Sequence, residues 1–182
     1  MFTRLILILS FSATAVLADL SSMETKGDLE SKNAVSCGQK LTNKFTPSDL
    51  FKAVAKCIRE KKYADGIYPY MVGFAYGYYD QSRVMDISAH DAITALQAQD
   101  LGPLGEVEIG KFEAAKKEFY AKKEKMAEAC AQIKTLGPPN YYPTYMIQHG
   151  VGAIEEKRSD MVPGFDAKKT WKNVLELAMK CK

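Results

Sequence analysis

Histidine is scarce in this chain: His90 and His149 are the only two among 182 residues. Two imidazoles are a thin supply of general bases or zinc ligands, and neither belongs to an H-E-x-x-H pattern. The G-x-S-x-G nucleophile elbow, the phosphate-binding glycine loop and the dinucleotide-binding glycine pattern are also missing. Cysteine is present as Cys37, Cys57, Cys130 and Cys181, but no two stand at the C-x-x-C spacing of a zinc ribbon or redox centre. Catalysis, a metal and a cofactor are therefore not expected. Acids such as Asp80, Asp86 and Asp91 do not stand out from helix caps and solvated carboxylates. Charge of one sign is not concentrated either. The 25 Lys plus Arg interleave with 22 Asp plus Glu for a net +3, which excludes a nucleic-acid footprint. No apolar run reaches the roughly 20 residues that a bilayer span needs. With 47% hydrophobic and 26% charged residues, the chain suits one folded domain rather than a disordered segment.

The longest apolar run lies at the start. Met1–Ala18 reads MFTRLILILSFSATAVLA, with Arg4 ahead of the run Leu5–Val16 and small residues Val16 and Ala18 before a cleavage point. That is the pattern of a secretory signal peptide, of bacterial length. It predicts export to the periplasm without a stable membrane anchor. In an oxidising compartment an even count of cysteines predicts two disulfides. Three pairings are possible. The expected one joins two helices through Cys57–Cys130 and ties the tails together through Cys37–Cys181.

Residues 19–44 are polar and read as a flexible N-terminal arm, with a helical domain over 45–182. Thr46-Pro47-Ser48-Asp49 supplies a cap hydroxyl, a proline for the first helical position and an acid for the third. Leu50, Val54, Cys57 and Ile58 then form one apolar face of a helix ending near Lys62. Ala64–Asp80 is apolar on nearly every side, the mark of a central helix. Gly73 and Gly77 share one face of it, leaving room for a neighbour, and Pro69 must fall in its first turn. Ser88 and Asp91 predict a capping box for a helix that Gly102-Pro103 ends. One long helix is predicted over Glu106–Leu136, with Phe112, Phe119, Met126 and Ile133 in a stripe and Gly137 as its stop. Asn140 and Gly150 bound a short aromatic helix, 151–165 reads as an exposed loop, and Asp166 caps a last helix facing inward through Trp171, Val174, Leu175 and Ala178. The sum is an all-α single bundle of about six helices stapled by disulfides. The turn Lys61–Gly66 resembles that of tetratricopeptide hairpins, although no repeat period follows it.

Aromatic side chains crowd two places: Tyr68, Tyr70, Tyr76, Tyr78 and Tyr79 in one segment, and Tyr141, Tyr142 and Tyr145 in another. Their rings can fill a core, or they can form a recognition face, since tyrosine gives large contact area at low entropy cost. Asp80, Arg83, His90 and His149 are then either polar members of that face or a buried hydrogen-bond network. Cys57 on the first helix, followed by Gly73-x-x-x-Gly77-x-x-Asp80 in an exported helical domain, resembles the small periplasmic immunity proteins of bacterial type VI secretion, notably the amidase-immunity kind. The likeness spans about Leu50–Asp80. It implies a chain that binds and plugs a toxin, with a protein as partner and no catalysis of its own. Partner-binding residues are expected at Tyr141, Tyr142, Tyr145, His149, Arg83, Asp80 and His90, with loop 151–165 as a further source. The alternative is a periplasmic carrier or scaffold module. An open, tyrosine-lined pocket between helices would favour it.

Overall fold

Thr46 opens the first helix as its sequence predicts. Its hydroxyl accepts from the Asp49 amide while the Asp49 carboxylate accepts from the Thr46 amide, and α1 runs Pro47–Arg59. The computed structural model describes residues 25–154 and 160–181. The leader expected over Met1–Ala18 lies outside the described residues. A 3₁₀ turn over Ala64–Gly66 leads into α2, Ile67–Arg83, with Pro69 in its first turn. The two helices form an antiparallel hairpin: Gly66 faces Cys57 at one end, and Gly73 faces Leu50 and Phe51 at the other. The second glycine admits a different helix. At Gly77 an added Cβ would stand 2.5 Å from the Ile93 side chain of α3, Ala92–Leu101.

Several boundaries differ from the sequence reading. Ser88 does not cap α3. A 3₁₀ helix over Ile87–Asp91 precedes it, and the Ser88 amide and hydroxyl both go to the nearer acid, Asp86. The long helix is two: α4, Glu106–Ala121, and α5, Lys123–Leu136, separated by Lys122 in an extended conformation. No glycine or proline marks this break. It turns α4 so that Phe112 covers Gly66, while α5 follows the C-terminal tail to which Cys130 is bonded. Phe112 and Ile133 are buried at the ends of the expected stripe, with Phe119 and Met126 only partly so. The short helix α6 covers Thr144–Ile147 and begins at Pro143, without a side-chain cap. Asn140 instead donates its amide to the Asn43 carbonyl. Part of the expected loop is helical, as α7, Val151–Ile154, and Met161 forms an isolated antiparallel bridge with Val84.

Asp166 caps α8, Ala167–Asn173, which continues as a π-helical turn over Val174–Ala178. Trp171, Val174 and Leu175 are buried as predicted, but the wider turn rotates Ala178 into solvent. Eight α-helices thus stand among the described residues where about six were expected. None is long and apolar enough to cross a membrane. The core divides into a larger cluster around Val54, Tyr76, Ile133 and Trp171, and a smaller one around Phe51, Leu96 and Met146.

The disulfides are Cys37–Cys57 and Cys130–Cys181, which corrects the expected pairing. The reason lies in residues 25–44, which do not form a loose arm. Val35 and Leu41 enter the core, and Ser31, Lys32 and Asn33 all bond to Asp49 at the start of α1. The segment therefore lies alongside α1 and presents Cys37 to Cys57. The π turn brings Cys181 to α5 in the same way. Each bridge pins a terminal segment to a helix, not one helix to another.

Asp49 has no solvent exposure, yet five donors surround it. Oδ1 accepts from the Ser31 hydroxyl and the Lys32 and Asn33 amides at 3.0, 2.8 and 2.8 Å. Oδ2 accepts from Asn33 Nδ2 and the Thr46 amide, both at 2.9 Å. Burial opposes its charge, but the donors, Asn33 first among them, outweigh that and hold the carboxyl below its ordinary pKa. Stability from this group is therefore fully present above the ordinary carboxylate value of about 4 and is lost as pH falls through the lowered one. Asp49→Asn is expected to lose roughly 1–3 kcal/mol at neutral pH, because it leaves donors facing donors. A urea-unfolding series on acidification checks this: the gap between the two proteins narrows as Asp49 protonates.

Candidate functional site

The last two turns of α2 place Asp80 and Arg83 on the same side as Tyr141 and Tyr145. Asp80 is wholly buried. Its Oδ1 accepts from two Arg83 nitrogens at 2.7 and 2.8 Å. Its Oδ2 accepts from the hydroxyls of Tyr141 and Tyr145 at 2.8 and 2.9 Å. Arg83 donates also to the Tyr141 carbonyl at 2.9 Å and lies over the rings of Tyr79 and Tyr141, 5.2 and 5.3 Å from their centres. Burial pushes the Asp80 carboxyl up, and the Arg83 charge with the two tyrosines only partly offsets it. Burial and the nearby Asp80 hold both tyrosines well above the ordinary phenol value, so they stay donors. Both Asp80 oxygens and both tyrosine hydroxyls have protein partners. The cluster joins α2 to the 141–147 segment and withdraws the polar groups of Asp80, Arg83, Tyr141 and Tyr145 from any recognition face.

The other three candidates lie apart from it. His90 Nε2 is 3.0 Å from the Val84 carbonyl oxygen, inside the turn that precedes α3. His149 Nδ1 is 2.9 Å from the Asp28 carboxylate, where the Leu29 amide also meets the Tyr145 carbonyl. The two imidazoles thus serve different elements. Tyr142 is 53% exposed, with its hydroxyl 2.6 Å from Asp160. Among the described residues no group of three or more His, Cys, Asp and Glu is arranged to hold a metal ion.

Sequence reasoning missed an apolar corner beside Tyr142. Met85, Ile87, Val151, Ile154 and Val162 are all exposed, Ile87 by 79%. They come from residues 85–87, 151–154 and 162, which polar groups tie together. Asp86 accepts from the Ser88 and Gly152 amides at 2.9 and 2.8 Å, and the Val151 amide donates to the Ser88 hydroxyl. Hydrogen bonds from Ser88 above all hold the Asp86 carboxyl below its ordinary value. The Met85 amide donates to the Asp160 carbonyl, and the Val162 amide to the Arg83 carbonyl. Gly150 is required for this closure, since a Cβ there would stand 2.9 Å from the Ala89 Cβ. The glycine and the apolar residues were visible in the sequence. That they close onto residues 84–88 was not.

A second apolar feature is a groove of about 460 Å³ whose walls include Tyr70, Phe74, Tyr78, Tyr120 and Met126. At its edge the Lys116 ammonium sits 4.1 Å from the centre of the Tyr70 ring, paired with Glu113 at 2.8 Å. Compared with family models, curated proteins and solved structures, the chain has no significant match.

Proposed function

We propose that the chain is an exported protein-binding domain, an immunity protein that occupies the cleft of a toxin in the periplasm. The observation that carries this reading is the apolar corner of Met85, Ile87, Val151, Ile154 and Val162, exposed yet held in a fixed frame. Exposed apolar side chains held near one another by a polar frame are suited to the centre of a desolvated interface. Part of the corner comes from the 151–165 segment, which the sequence reading offers as one source of groups entering a toxin's cleft. Two disulfides suit an oxidising compartment. The test is a bacterial lawn challenged with the effector encoded next to this gene. Survival should require the gene, and Ile87→Asp with Val151→Asp should abolish it. The purified double variant, folded by circular dichroism, should bind the effector about 30-fold or more weakly. Equal survival with and without the gene would overturn immunity.

The tyrosine- and methionine-lined groove supports a second reading, a carrier of an apolar ligand. Native mass spectrometry of periplasmic protein that finds such a molecule bound, together with its loss in Phe74→Ala, would favour the carrier over the toxin blocker.

A further inference from the structure

We infer that Met85 is an oxidation-sensitive site: a peroxide converts its thioether to the sulfoxide, and the apolar corner then releases its partner until a reductase reverses the change. The release rests on the protein-binding reading, whereas the selective oxidation does not. Six of the eight methionines lie among the described residues. Met71 and Met146 are buried. Met126 and Met179 pack against the larger apolar cluster and Met161 against the smaller one, each half-buried. Met85 belongs to neither cluster and is 44% exposed. The backbone explains the contrast. Val84 is extended, forms the bridge with Met161 and turns inward, so the next side chain turns to solvent. An oxidant must reach the sulfur, and among these six it reaches Met85 first.

The step is an oxygen-atom transfer. The Met85 sulfur attacks one oxygen of hydrogen peroxide, the S–O bond forms as the O–O bond breaks, and the other oxygen leaves as water after proton exchange with solvent. Sulfur is oxidised by two electrons and the peroxide is reduced. A sulfoxide reductase runs the reverse with a dithiol, which becomes a disulfide while the oxygen leaves as water.

The other side chains of the corner decide what the new oxygen does. Ile87, Val151, Ile154 and Val162 are apolar and offer it no donor. A partner covering the corner would bury a strong acceptor unpaired, which costs binding. The frame does not depend on the thioether. Met85 donates its backbone amide to the Asp160 carbonyl, and Asp86 accepts from the Ser88 and Gly152 amides. Oxidation therefore changes the polarity of a surface whose fold it leaves in place. At Met71 or Met146 the same chemistry would put a polar oxygen into the core.

The experiment treats the disulfide-bonded chain with dilute hydrogen peroxide and maps its peptides by mass spectrometry. The Met85 sulfoxide should accumulate several-fold faster than that of Met126, Met161 or Met179. The treated protein, unchanged by circular dichroism, should elute earlier from a hydrophobic-interaction column and bind the effector about tenfold more weakly. Reductases for the two sulfoxide epimers, supplied with a dithiol, should restore both properties. Met85→Leu, which keeps an apolar side chain, should bind like the untreated protein, and peroxide should change it far less. Oxidation of Met85 no faster than that of the three half-buried methionines overturns the inference, as does an equal loss of binding in Met85→Leu. An effector that fails to bind even the untreated protein overturns the immunity reading and the release of that partner. The column then still decides the site: a shift that Met85→Leu lacks upholds it, and no shift overturns it.

Discussion

Asp80→Ala is expected to destabilise the protein by about 3–5 kcal/mol, the largest loss from any single polar substitution here. The cause is what remains behind. Arg83 is 8% exposed and would stay buried without its counter-ion, and two tyrosine hydroxyls would lose their acceptor. Tyr145→Phe removes one donor and leaves Asp80 its other partners, so about 1 kcal/mol is expected. Urea unfolding of the three proteins checks the order. A loss below about 1 kcal/mol for Asp80→Ala would mean that Arg83 swings out to water and the network holds nothing. The pH dependence is opposite to that of Asp49. Because burial raises the Asp80 pKa, its contribution is fully present below the ordinary carboxylate value and diminishes as pH rises through the raised one.

Removing the C-terminal bridge by Cys130→Ser with Cys181→Ser is expected to cost about 4 kcal/mol on the loop-entropy model, with a fall in Tm of roughly 10–15 °C. The bridge closes 51 residues and is what holds the tail, with its π turn, against α5. The Cys37–Cys57 bridge closes 20, so its removal should cost less, about 3 kcal/mol. Scanning calorimetry of the two double variants gives the order. Peptide mapping without reductant should recover Cys37 joined to Cys57, and a peptide joining Cys57 to Cys130 would contradict the fold.

The parts of the fold legible in the sequence are those set within a few residues. Thr46 caps α1 because its partner is three residues away, and Gly137 ends α5 with a positive φ that glycine adopts readily. Gly73 and Gly77 announced close packing, since an α-helix puts them on one face. What was hidden depends on partners far along the chain. Ser88 has both a near acid and the distant Val151 amide to satisfy, and these displace the capping box. Lys122 breaks its helix with nothing in the local sequence to mark it. The candidate site was legible only as composition. Tyrosines, Asp80 and Arg83 stood out there, but whether they face inward depends on 141–147 folding across α2, some sixty residues later in the chain.

The pairing pattern has a consequence for biogenesis. In both bridges the partners are consecutive cysteines, first with second and third with fourth. A chain threaded N-terminus first into an oxidising compartment meets each correct partner in order of arrival. An oxidase acting during translocation would close the first bridge before Cys130 emerges, and the last two thiols would then find only one another. On the proposed export route, simple oxidation would suffice for maturation, and a strain lacking disulfide isomerase should produce the protein at an undiminished yield.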